Sequence, residues 1–489
     1  MRIIIILSFV IIITSCSTFG ELLGNIIDSV NSLSKSSSQE QSSNTPINGS
    51  GNNETKSNQP VRSLTETLST IGSTRNYSLP VSYETAYSYR TDTPDSKITR
   101  IPQDIEANRV SNPNEYIKQI AVYINDNSTD EFDRVKKAHD LVAVMIRYDA
   151  ANFWANTVPD QNFQNVLKTR LAVCEGYSNL FKRLCDELKI PCEIVHGYAR
   201  GVGSSPIAGD TPNNSNHAWN IVTINKENYL IDCTWDSGFM DGRTARQEYT
   251  TDWLFLKPEQ FLYTHYPENT KQQLLLSPLT ALQFSALPFL KPKFFDLADN
   301  LSIDLKKINQ VDNKFSFNYK TKDGYSLSFR VNEIKSGRQI QNSNFVQNDG
   351  SKEIAYFSFP TAGQYSVNIF WWKTGASQGK GCGEFVVETL SPSPVQYPTT
   401  YLSSAKNLQL ISPIEMPLEH GKTYSFRIKV DNKNIVAIIY GRTFIQLTKD
   451  SDGIFTTEFE IPSNINNLSI GIANSERGQY ENILQYQVK

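Results

Sequence analysis

The sequence predicts an α+β core followed by two β-sandwich modules, and three observations carry this prediction. Apolar side chains recur at intervals of three and four in residues 131–148 and 174–188, which predicts two amphipathic helices. The period then changes, and short alternating runs from residue 192 onward predict antiparallel strands. From about residue 301 the helical period disappears. Helices followed by antiparallel strands are typical of the α+β class.

Composition and charge narrow the class of protein. The chain has 489 residues, of which 39% are hydrophobic, and this is enough for roughly two to four domains with cores of their own. Lysine and arginine number 47 against 50 acidic residues, so the formal net charge is −3. Proteins that bind nucleic acid usually carry a strong positive field. Nucleic acid is therefore not an expected partner.

The N-terminus is typical of an export signal, because Arg2 is followed by an almost unbroken apolar run over residues 3–13 and then by small residues. We predict a signal peptide over residues 1–15. The sequence Ile-Thr-Ser-Cys that ends at Cys16 resembles a bacterial lipobox, which implies that Cys16 is acylated. Two or three acyl chains would anchor the protein firmly in a membrane. The alternative is an ordinary signal peptide with an incidental cysteine.

A polar stretch follows the predicted anchor. From Ser34 to Pro60 the chain has almost no apolar side chain with which to offset the entropy of ordering, so residues 16–60 are predicted to be an anchor and a flexible stalk. Ser17 resembles the outer-membrane sorting preference of bacteria with two membranes. We therefore expect a lipid-anchored protein of the cell envelope, at the outer membrane where the cell has one.

The rest of the chain divides into four predicted segments. They are an irregular lead-in (61–114), the α+β core (115–297) and two β-sandwich modules (298–392 and 393–489). Short β-branched or aromatic runs separated by Gly, Asp and Asn predict the modules. One larger β domain is the alternative.

The elements predicted within the core are two helices and three strands. The second helix should end before Pro191, because proline disfavours helix in the preceding residue. The predicted strands are Cys192–Arg200, His217–Ile224 and Tyr229–Thr234, and a loop rich in Gly, Ser, Pro and Asn spans 201–216.

Cys174 stands at the predicted start of the second helix. Unpaired N–H groups and the positive end of the helix dipole favour an anion there, and the thiolate is the reactive form of cysteine. If Cys16 is acylated, five of the six cysteines remain, so at least one thiol is expected to be free. The alternative for Cys174 is a small buried residue or half of a disulfide. Cys185 and Cys192 are predicted to be packing residues or a mutual pair.

A nucleophilic cysteine needs a base and a group that orients the base. His217 begins the first strand after the loop, and Asp232 lies near the end of the next. If Lys226 and Glu227 form a tight turn, Asp232 lies about 13 Å along the strand from His217. In that register Asp236 opposes the histidine instead. Because a bulge or wider turn would bring Asp232 back into reach, spacing alone leaves the acid ambiguous.

Three short sequences carry a family resemblance. They are Val-Cys-Glu-Gly-Tyr at 173–177, His-Ala-Trp-Asn at 217–220 and Asp-Cys-Thr-Trp at 232–235. They resemble the three boxes of the transglutaminase-like superfamily, whose fold is related to that of papain-type proteases. The resemblance implies that the core has this fold.

A further set of sequences is similar to the kyphoscoliosis-peptidase subgroup, whose members carry β domains after the core. These are the run 253–261, His-Tyr-Pro at 265–267 and Leu-Pro-Phe-Leu at 287–290. The resemblance covers residues 115–295 well and the β modules more loosely.

The resemblance implies a role for each residue. Cys174 would be the nucleophile, His217 the base and Asp232 the orienting acid, which favours Asp232 over Asp236. The implied reaction is acyl transfer from an amide of a protein or peptide, through a thioester that water or an amine resolves. We expect hydrolysis, because cross-linking needs a second site for an acceptor amine and the sequence identifies none.

The sequence offers three candidates for the oxyanion donor. The backbone N–H of Cys174 is the expected donor, with the side chains of Gln164 and Trp154 as further candidates. Neither side chain lies in a matched box, and a surface amide and a core aromatic are the alternatives. The five histidines are scattered, without the paired His or Cys-x-x-Cys spacing of zinc sites, so no metal or other cofactor is expected.

The combined prediction is a lipid-anchored cysteine amidohydrolase or protease whose β modules dock on protein or glycan. Two alternatives remain open. One is a catalytically silent scaffold for surface binding or adhesion, and the other is a cross-linking transglutaminase.

Overall fold

The computed structural model describes residues 82–201, 212, 214–303, 305–393, 395–401, 408–430, 435–475 and 479–489. The predicted signal peptide, Cys16 and the stalk lie outside these residues, as does most of the loop predicted over 201–216. In the part of the chain that the structure describes, no helix is both long enough and apolar enough to cross a bilayer.

Within the described residues, the helices all lie before residue 298. They are α1 (Tyr83–Ser88), α2 (Gln103–Glu106), α3 (Asn108–Ser111), α4 (Pro113–Asp126), α5 (Glu131–Met145), α6 (Ala150–Ala155), α7 (Phe163–Thr169), α8 (Cys174–Glu187), α9 (Cys233–Ser237), α10 (Pro258–Phe261), α11 (Ala281–Ala286) and α12 (Pro292–Leu297), with short 3₁₀ turns at Ile98–Arg100 and Thr270–Gln273. The two amphipathic helices predicted from the sequence are α5 and α8.

The segment predicted to be irregular, 61–114, is ordered over its described part. It contains α1, α2 and α3, and it buries Tyr83, Ala86 and Ile98 in the core of the α+β unit. Helices this short are not stable alone and take their order from packing. That is why no helical period in the sequence revealed them.

A five-stranded sheet in the order β8-β5-β4-β3-β9 forms the centre of the core. Its strands are β3 (Cys192–Ala199), β4 (His217–Ile224), β5 (Glu227–Ile231), β8 (Leu254–Leu256) and β9 (His265–Pro267). All neighbouring pairs are antiparallel. Helix α8 packs on β4 and α5 and buries one face that includes Tyr177, Leu180, Phe181 and Leu184.

Two smaller pairs of strands flank the sheet. Strands β1 (Arg147–Tyr148) and β2 (Leu171–Ala172) are parallel, and β6 (Gly238–Asp241) and β7 (Thr244–Gln247) form a hairpin. Strand β2 leads directly into α8.

The turn between β4 and β5 corrects the predicted register. Asn225 and Lys226, with φ of 54° and 69°, occupy its centre, so Ile224 pairs with Glu227. The prediction placed the turn one residue later. Two consecutive positive φ values make the type I′ turn whose twist matches a hairpin. Strand β5 also ends earlier than predicted, at Ile231, because the next residue begins a helix.

The first β module packs two sheets over an aromatic core. One sheet has the order β10-β18-β17-β14 with β12 alongside β18, and the other has the order β11-β13-β16-β15. The strands are β10 (Phe289–Leu290), β11 (Ala298–Asp299), β12 (Ile308–Val311), β13 (Lys314–Thr321), β14 (Tyr325–Glu333), β15 (Asn344–Asn348), β16 (Glu353–Ser358), β17 (Gly363–Lys373) and β18 (Lys380–Thr389). Because Leu290 and Phe294 pack in this core, the module begins before the predicted boundary at residue 298.

The second β module has its own core, which contains Phe426, Ile470 and Tyr486. Its sheets have the orders β19-β27-β26-β22-β23 and β20-β21-β25-β24. The strands are β19 (Thr399–Thr400), β20 (Leu408–Ser412), β21 (Thr423–Val430), β22 (Ile435–Tyr440), β23 (Thr443–Gln446), β24 (Thr448–Lys449), β25 (Ile454–Glu460), β26 (Asn467–Ala473) and β27 (Glu481–Gln487). The predicted α+β core with two β-sandwich modules is confirmed, and the alternative of one larger β domain is wrong.

Candidate active site

Cys174 is the first residue of α8, and its side chain is half-buried. The preceding residue, Val173, is extended and donates its N–H to Oε1 of Gln161 at 2.9 Å. No side chain caps this helix, and the described residues offer the N–H of Cys174 no backbone acceptor. An uncapped helix start leaves its first N–H groups free to meet an anion. The sulfur of Cys174 therefore stands beside available donors.

Gly176 lets other segments approach the first turn of α8 closely. A Cβ at this position would lie 2.5 Å from Oε1 of Gln161, 2.7 Å from Cβ of Ala172 and 2.9 Å from Cγ2 of Val166. These separations are shorter than real contacts, so only glycine fits. The glycine therefore accommodates the residues that fix where the helix begins.

His217 is the first residue of β4 and is largely buried. Its Nε2 lies 2.7 Å from Oδ2 of Asp232, and Cys174 is close enough for its charge to act on the pKa of the ring. Since Nε2 faces Asp232, Nδ1 is the ring nitrogen available to the thiol. Burial lowers the pKa of His217, but the charges of Asp232 and Cys174 and the hydrogen bond to Asp232 outweigh burial and raise this pKa to about 10. An imidazolium next to the sulfur favours the thiolate.

Asp232 is the N-cap of α9, which explains how it reaches His217 although it no longer belongs to β5. Its Oδ1 accepts the N–H groups of Thr234 at 2.8 Å and Trp235 at 3.1 Å. Its Oδ2 accepts from His217. Burial raises the pKa of Asp232, but the charge and the hydrogen bond of His217, with a hydrogen bond from His265, hold it below its ordinary value. The carboxylate is therefore ionised and fixed in orientation.

Asp236 takes a different partner. Its Oδ2 lies 3.0 Å from Nε2 of His139 on α5, and His139 also meets Asp140 at 3.1 Å. All three side chains are fully buried. Burial lowers the pKa of His139, but hydrogen bonds and charges of the two carboxylates outweigh burial and raise it. The structure therefore bonds His217 to Asp232, and Asp236 anchors α9 to α5.

His265, on β9, was not predicted from the sequence. Its Nε2 lies 3.2 Å from Oδ2 of Asp232, and its ring is fully buried. In the sequence it lies 33 residues from Asp232, and its only signal was the resemblance of the His-Tyr-Pro run to the kyphoscoliosis-peptidase subgroup. That resemblance implied no role for the histidine.

His217, Asp232 and His265 also form a group with metal-ligand chemistry, since one ligand atom from each lies within 4.8 Å of the others. The expectation of no metal site did not foresee this group, because its residues are far apart in the sequence. Both imidazoles already lie at hydrogen-bond distance from one carboxylate oxygen. A zinc ion needs ligand bonds of about 2.0–2.2 Å, and would therefore replace both hydrogen bonds. The arrangement fits a hydrogen-bonded set better than a metal site.

The two side chains predicted as oxyanion donors lie at the surface. Trp154, on α6, is 38% exposed and carries the guanidinium of Arg243 over its ring at 5.2 Å. Gln164, on α7, is exposed. Cys174, His217 and Asp232 are brought together, whereas these two residues show no hydrogen bond to Cys174 among the described residues.

Tyr148 is a donor near the sulfur that sequence reasoning missed. It pairs with Ala172 across β1 and β2, two residues before Cys174. Burial raises its pKa, and so do the charges of Cys174 and Asp232, so the phenol keeps its proton. Among the described residues its hydroxyl makes no hydrogen bond, and its half-buried ring packs edge-on against Phe153 at 5.8 Å. A neutral O–H close to the nucleophile is suited to stabilise an oxyanion.

Comparison with known proteins agrees with this geometry. A family model described as the transglutaminase-like superfamily matches residues 118–233, which include Cys174, His217 and Asp232. The chain has a transglutaminase-like core. The predicted resemblance to this superfamily, and to its kyphoscoliosis-peptidase-like subgroup, is confirmed.

The relatives that this chain resembles are longer than the segments that match it. Mouse kyphoscoliosis peptidase is 27% identical over 212 residues, which cover 42% of this chain and 31% of the relative. The human kyphoscoliosis peptidase is 26% identical over 275 residues, which cover 55% of this chain and 40% of the relative. The match to a solved structure of a TGase is 21% identical and covers 31% of this chain and 38% of the TGase chain, with a TM-score of 0.20. The matches therefore span less than half the length of the two peptidases.

Proposed function

We propose that the protein is a cysteine amidohydrolase or peptidase that cleaves an amide bond in protein or peptide. The observation that carries the proposal is the grouping of Cys174, at the start of α8, with His217 and its hydrogen-bonded partner Asp232. A nucleophile, a base within hydrogen-bond reach and a carboxylate that orients the base are the groups that acyl transfer requires.

The proposed reaction has two halves. The sulfur of Cys174 attacks the amide carbonyl carbon, and His217 gives a proton to the leaving amine as the C–N bond breaks, which leaves a thioester. Water then attacks the thioester while His217 accepts a proton, and the C–S bond breaks to release the acid. Asp232 stays ionised throughout and stabilises the imidazolium.

The proposed oxyanion donors are the backbone N–H of Cys174 and the phenol of Tyr148. Neither donates to another described residue, and the charge of Cys174 acts on the pKa of Tyr148. Preorganised donors of this kind stabilise the charge that develops on the carbonyl oxygen in the transition state.

Hydrolysis is favoured over cross-linking in this proposal. Cross-linking requires a second site that admits an acceptor amine, and the described residues identify none. Incorporation of a dansylated amine into a glutamine-containing protein would favour the cross-linking transglutaminase instead.

Location and docking complete the proposal. We infer that acyl chains on Cys16 hold the protein in the cell envelope, at the outer membrane in a cell with two membranes, and that the β modules dock on protein or glycan. The support is the lipobox-like sequence and the polar stalk after it. Detergent-phase partitioning of the wild type, with loss to the aqueous phase in Cys16→Ser, tests the anchor.

The decisive experiment compares three proteins on a peptide library and in a cell-wall digestion assay. We expect cleavage by the wild type, none by Cys174→Ala and full cleavage by Cys382→Ala, whose cysteine lies in the core of the first β module. Full activity of Cys174→Ala would exclude the mechanism. Binding to protein or glycan without turnover by any of the three would favour the silent scaffold.

A further inference from the structure

The carboxylate of Asp232 lies at hydrogen-bond distance from two imidazoles, those of His217 and His265. Oδ2 of Asp232 lies 2.7 Å from Nε2 of His217 and 3.2 Å from Nε2 of His265. A Cys-His-Asp mechanism by itself needs only the first of these contacts. A buried imidazole costs free energy unless it is hydrogen-bonded, and the contact with Asp232 meets that need for His265.

The proton positions on His265 follow from its partners. A carboxylate can only accept a hydrogen bond, so Nε2 of His265 carries a proton and donates to Asp232. The other nitrogen, Nδ1, lies 2.9 Å from Oγ1 of Thr264. In a neutral ring Nδ1 accepts, and the Thr264 hydroxyl has two acceptors within reach, which are Nδ1 and the carbonyl oxygen of Phe261 at 3.1 Å. The donor from His265 to the carboxylate is the same in both arrangements.

The surroundings of His265 keep its ring neutral and immobile. Its ring centroid lies 4.2 Å from that of Phe261, 4.5 Å from Trp235 and 5.1 Å from Trp253 and Trp219. Burial and the charge of His217 lower the pKa of His265 to about 4 although Asp232 acts in the opposite direction. The ring cannot rotate away without repacking this cage, so its donor stays aimed at the carboxylate.

We propose that His265 is a positioning residue, which holds Oδ2 of Asp232 in line with His217 while the catalytic imidazole gains and loses its proton. The inference rests on the proposed function and deepens it. When His217 is an imidazolium, Asp232 neutralises it, and when His217 transfers its proton, the fixed hydrogen bond from His265 keeps the carboxylate in place. A triad with one imidazole on the acid would rely on the two helix-cap hydrogen bonds to Oδ1 alone to hold the carboxylate.

Two substitutions separate the donor to Asp232 from the contact to Thr264. The amide nitrogen of glutamine can replace Nε2, so His265→Gln retains a donor to Asp232. Asparagine can replace only Nδ1, so His265→Asn retains the contact to Thr264 and loses the donor. Thr264→Val removes the hydroxyl and leaves the imidazole, and His420→Gln in the second β module serves as the control.

The measurements are the alkylation rate of Cys174 by iodoacetamide, kcat and KM on a cleaved peptide, and the NMR signal of the His217 Nε2 proton. We expect His265→Asn to lower both rates by about tenfold, the effect of one lost hydrogen bond to a charged group, with KM unchanged and the His217 signal shifted. His265→Gln should recover most of each rate and the signal. The rates of Thr264→Val should lie between those of the Asn and Gln variants, and the rates of His420→Gln should match those of the wild type.

Two results would overturn the inference. One is equal loss of rate and of thermal stability in the Asn and Gln variants, since a purely structural residue would behave so. The other is loss of alkylation rate after dialysis against a chelator, restored by zinc, since His265 would then be a metal ligand. If Cys174 of the wild type is alkylated no faster than Cys174 of His217→Ala, the proposed function fails. The NMR signal of the His217 Nε2 proton still tests the role of His265, because that signal does not depend on turnover.

Discussion

Asp232 and Asp236 are joined across one turn of α9 by a backbone hydrogen bond of 3.2 Å from the N–H of Asp236 to the carbonyl of Asp232, yet their carboxylates point to different histidines. The carboxylate of Asp232 contacts His217, and the carboxylate of Asp236 contacts the fully buried His139. One five-residue helix therefore carries both the orienting acid and the anchor that holds it.

The two aspartates should respond differently to the same substitution. Asp236→Asn leaves the buried His139 with one carboxylate partner fewer, so we expect the free energy of unfolding to fall by about 3 kcal/mol, measured by urea denaturation. Asp232→Asn keeps an oxygen to cap α9, so we expect a smaller stability loss but a fall in kcat of about 10²-fold or more. The reverse pattern would show that Asp236 orients the base.

Cys174 should be alkylated selectively. Its side chain is half-buried, whereas Cys185, Cys192, Cys233 and Cys382 are buried. Burial raises the pKa of Cys185, Cys233 and Cys382. We expect iodoacetamide at neutral pH to label Cys174 first, as mapped by peptide mass spectrometry.

The control for this labelling is His217→Ala, in which the reaction at Cys174 should slow markedly because the imidazolium that stabilises the thiolate is lost. Equal and slow labelling of all accessible thiols in both proteins would favour the silent scaffold.

Tyr148→Phe should lower kcat without changing KM. The substitution removes the hydroxyl and keeps the ring that packs on Phe153. Loss of one oxyanion donor costs about 10²–10³-fold in kcat. Tyr480→Phe in the second β module is the matched control and should retain full activity. Unchanged kcat in Tyr148→Phe would assign the oxyanion to backbone donors alone.

The contribution of His217 to stability should depend on pH in a defined direction. Burial lowers the pKa of His217, but Asp232 and Cys174 raise it to about 10, above an unfolded value of about 6.5. A raised folded pKa stabilises the fold fully below the unfolded value, and this contribution is lost as the pH rises through about 10.

We therefore expect the difference in unfolding free energy between wild type and His217→Gln to shrink steadily from about pH 6.5 to about pH 10, measured in urea. Activity should also fall near pH 10, where His217 can no longer protonate the leaving amine. A difference that grows with pH would contradict the assignment of the proton to His217.

Gly176→Ala should destabilise the protein although alanine is the better helix former. The added Cβ would meet Gln161, Ala172 and Val166 at 2.5–2.9 Å, and overpacking of this kind costs about 1–3 kcal/mol. Gly381→Ala is the control, because the nearest atom to its Cβ would lie 4.0 Å away, on Phe370. Thermal denaturation of both variants tests this, and equal stability would argue against close packing at the start of α8.

The sequence predicted the elements of the core well because burial imposes a period on them. Helix α5 was predicted to span residues 131–148 and ends at Met145, and β4 has the predicted bounds. The hairpin register was wrong because it depends on the φ angles of Asn225 and Lys226, and apolar periodicity carries no information about them. Asp232 was expected in a strand, but its side chain caps a helix, which overrides the strand pattern of the preceding residues.

The site was predicted only in part. Short boxes around Cys174, His217 and Asp232 allowed these residues to be proposed together. Tyr148 and His265 could not be found in this way, since the pairing of β1 with β2 and of β9 with β3 brings them in from distant positions. Such residues become visible only once the sheet order is known.

The contacts of Arg90 have a consequence for the order of folding. Its almost buried guanidinium binds Asp296 at 3.0 Å and the carbonyl oxygens of Thr251 and Asp252 at 2.9 and 3.1 Å. These partners lie 206, 161 and 162 residues later in the chain. Closing such long loops is slow. The segment that carries α1 must therefore wait for the far end of the core before it can dock.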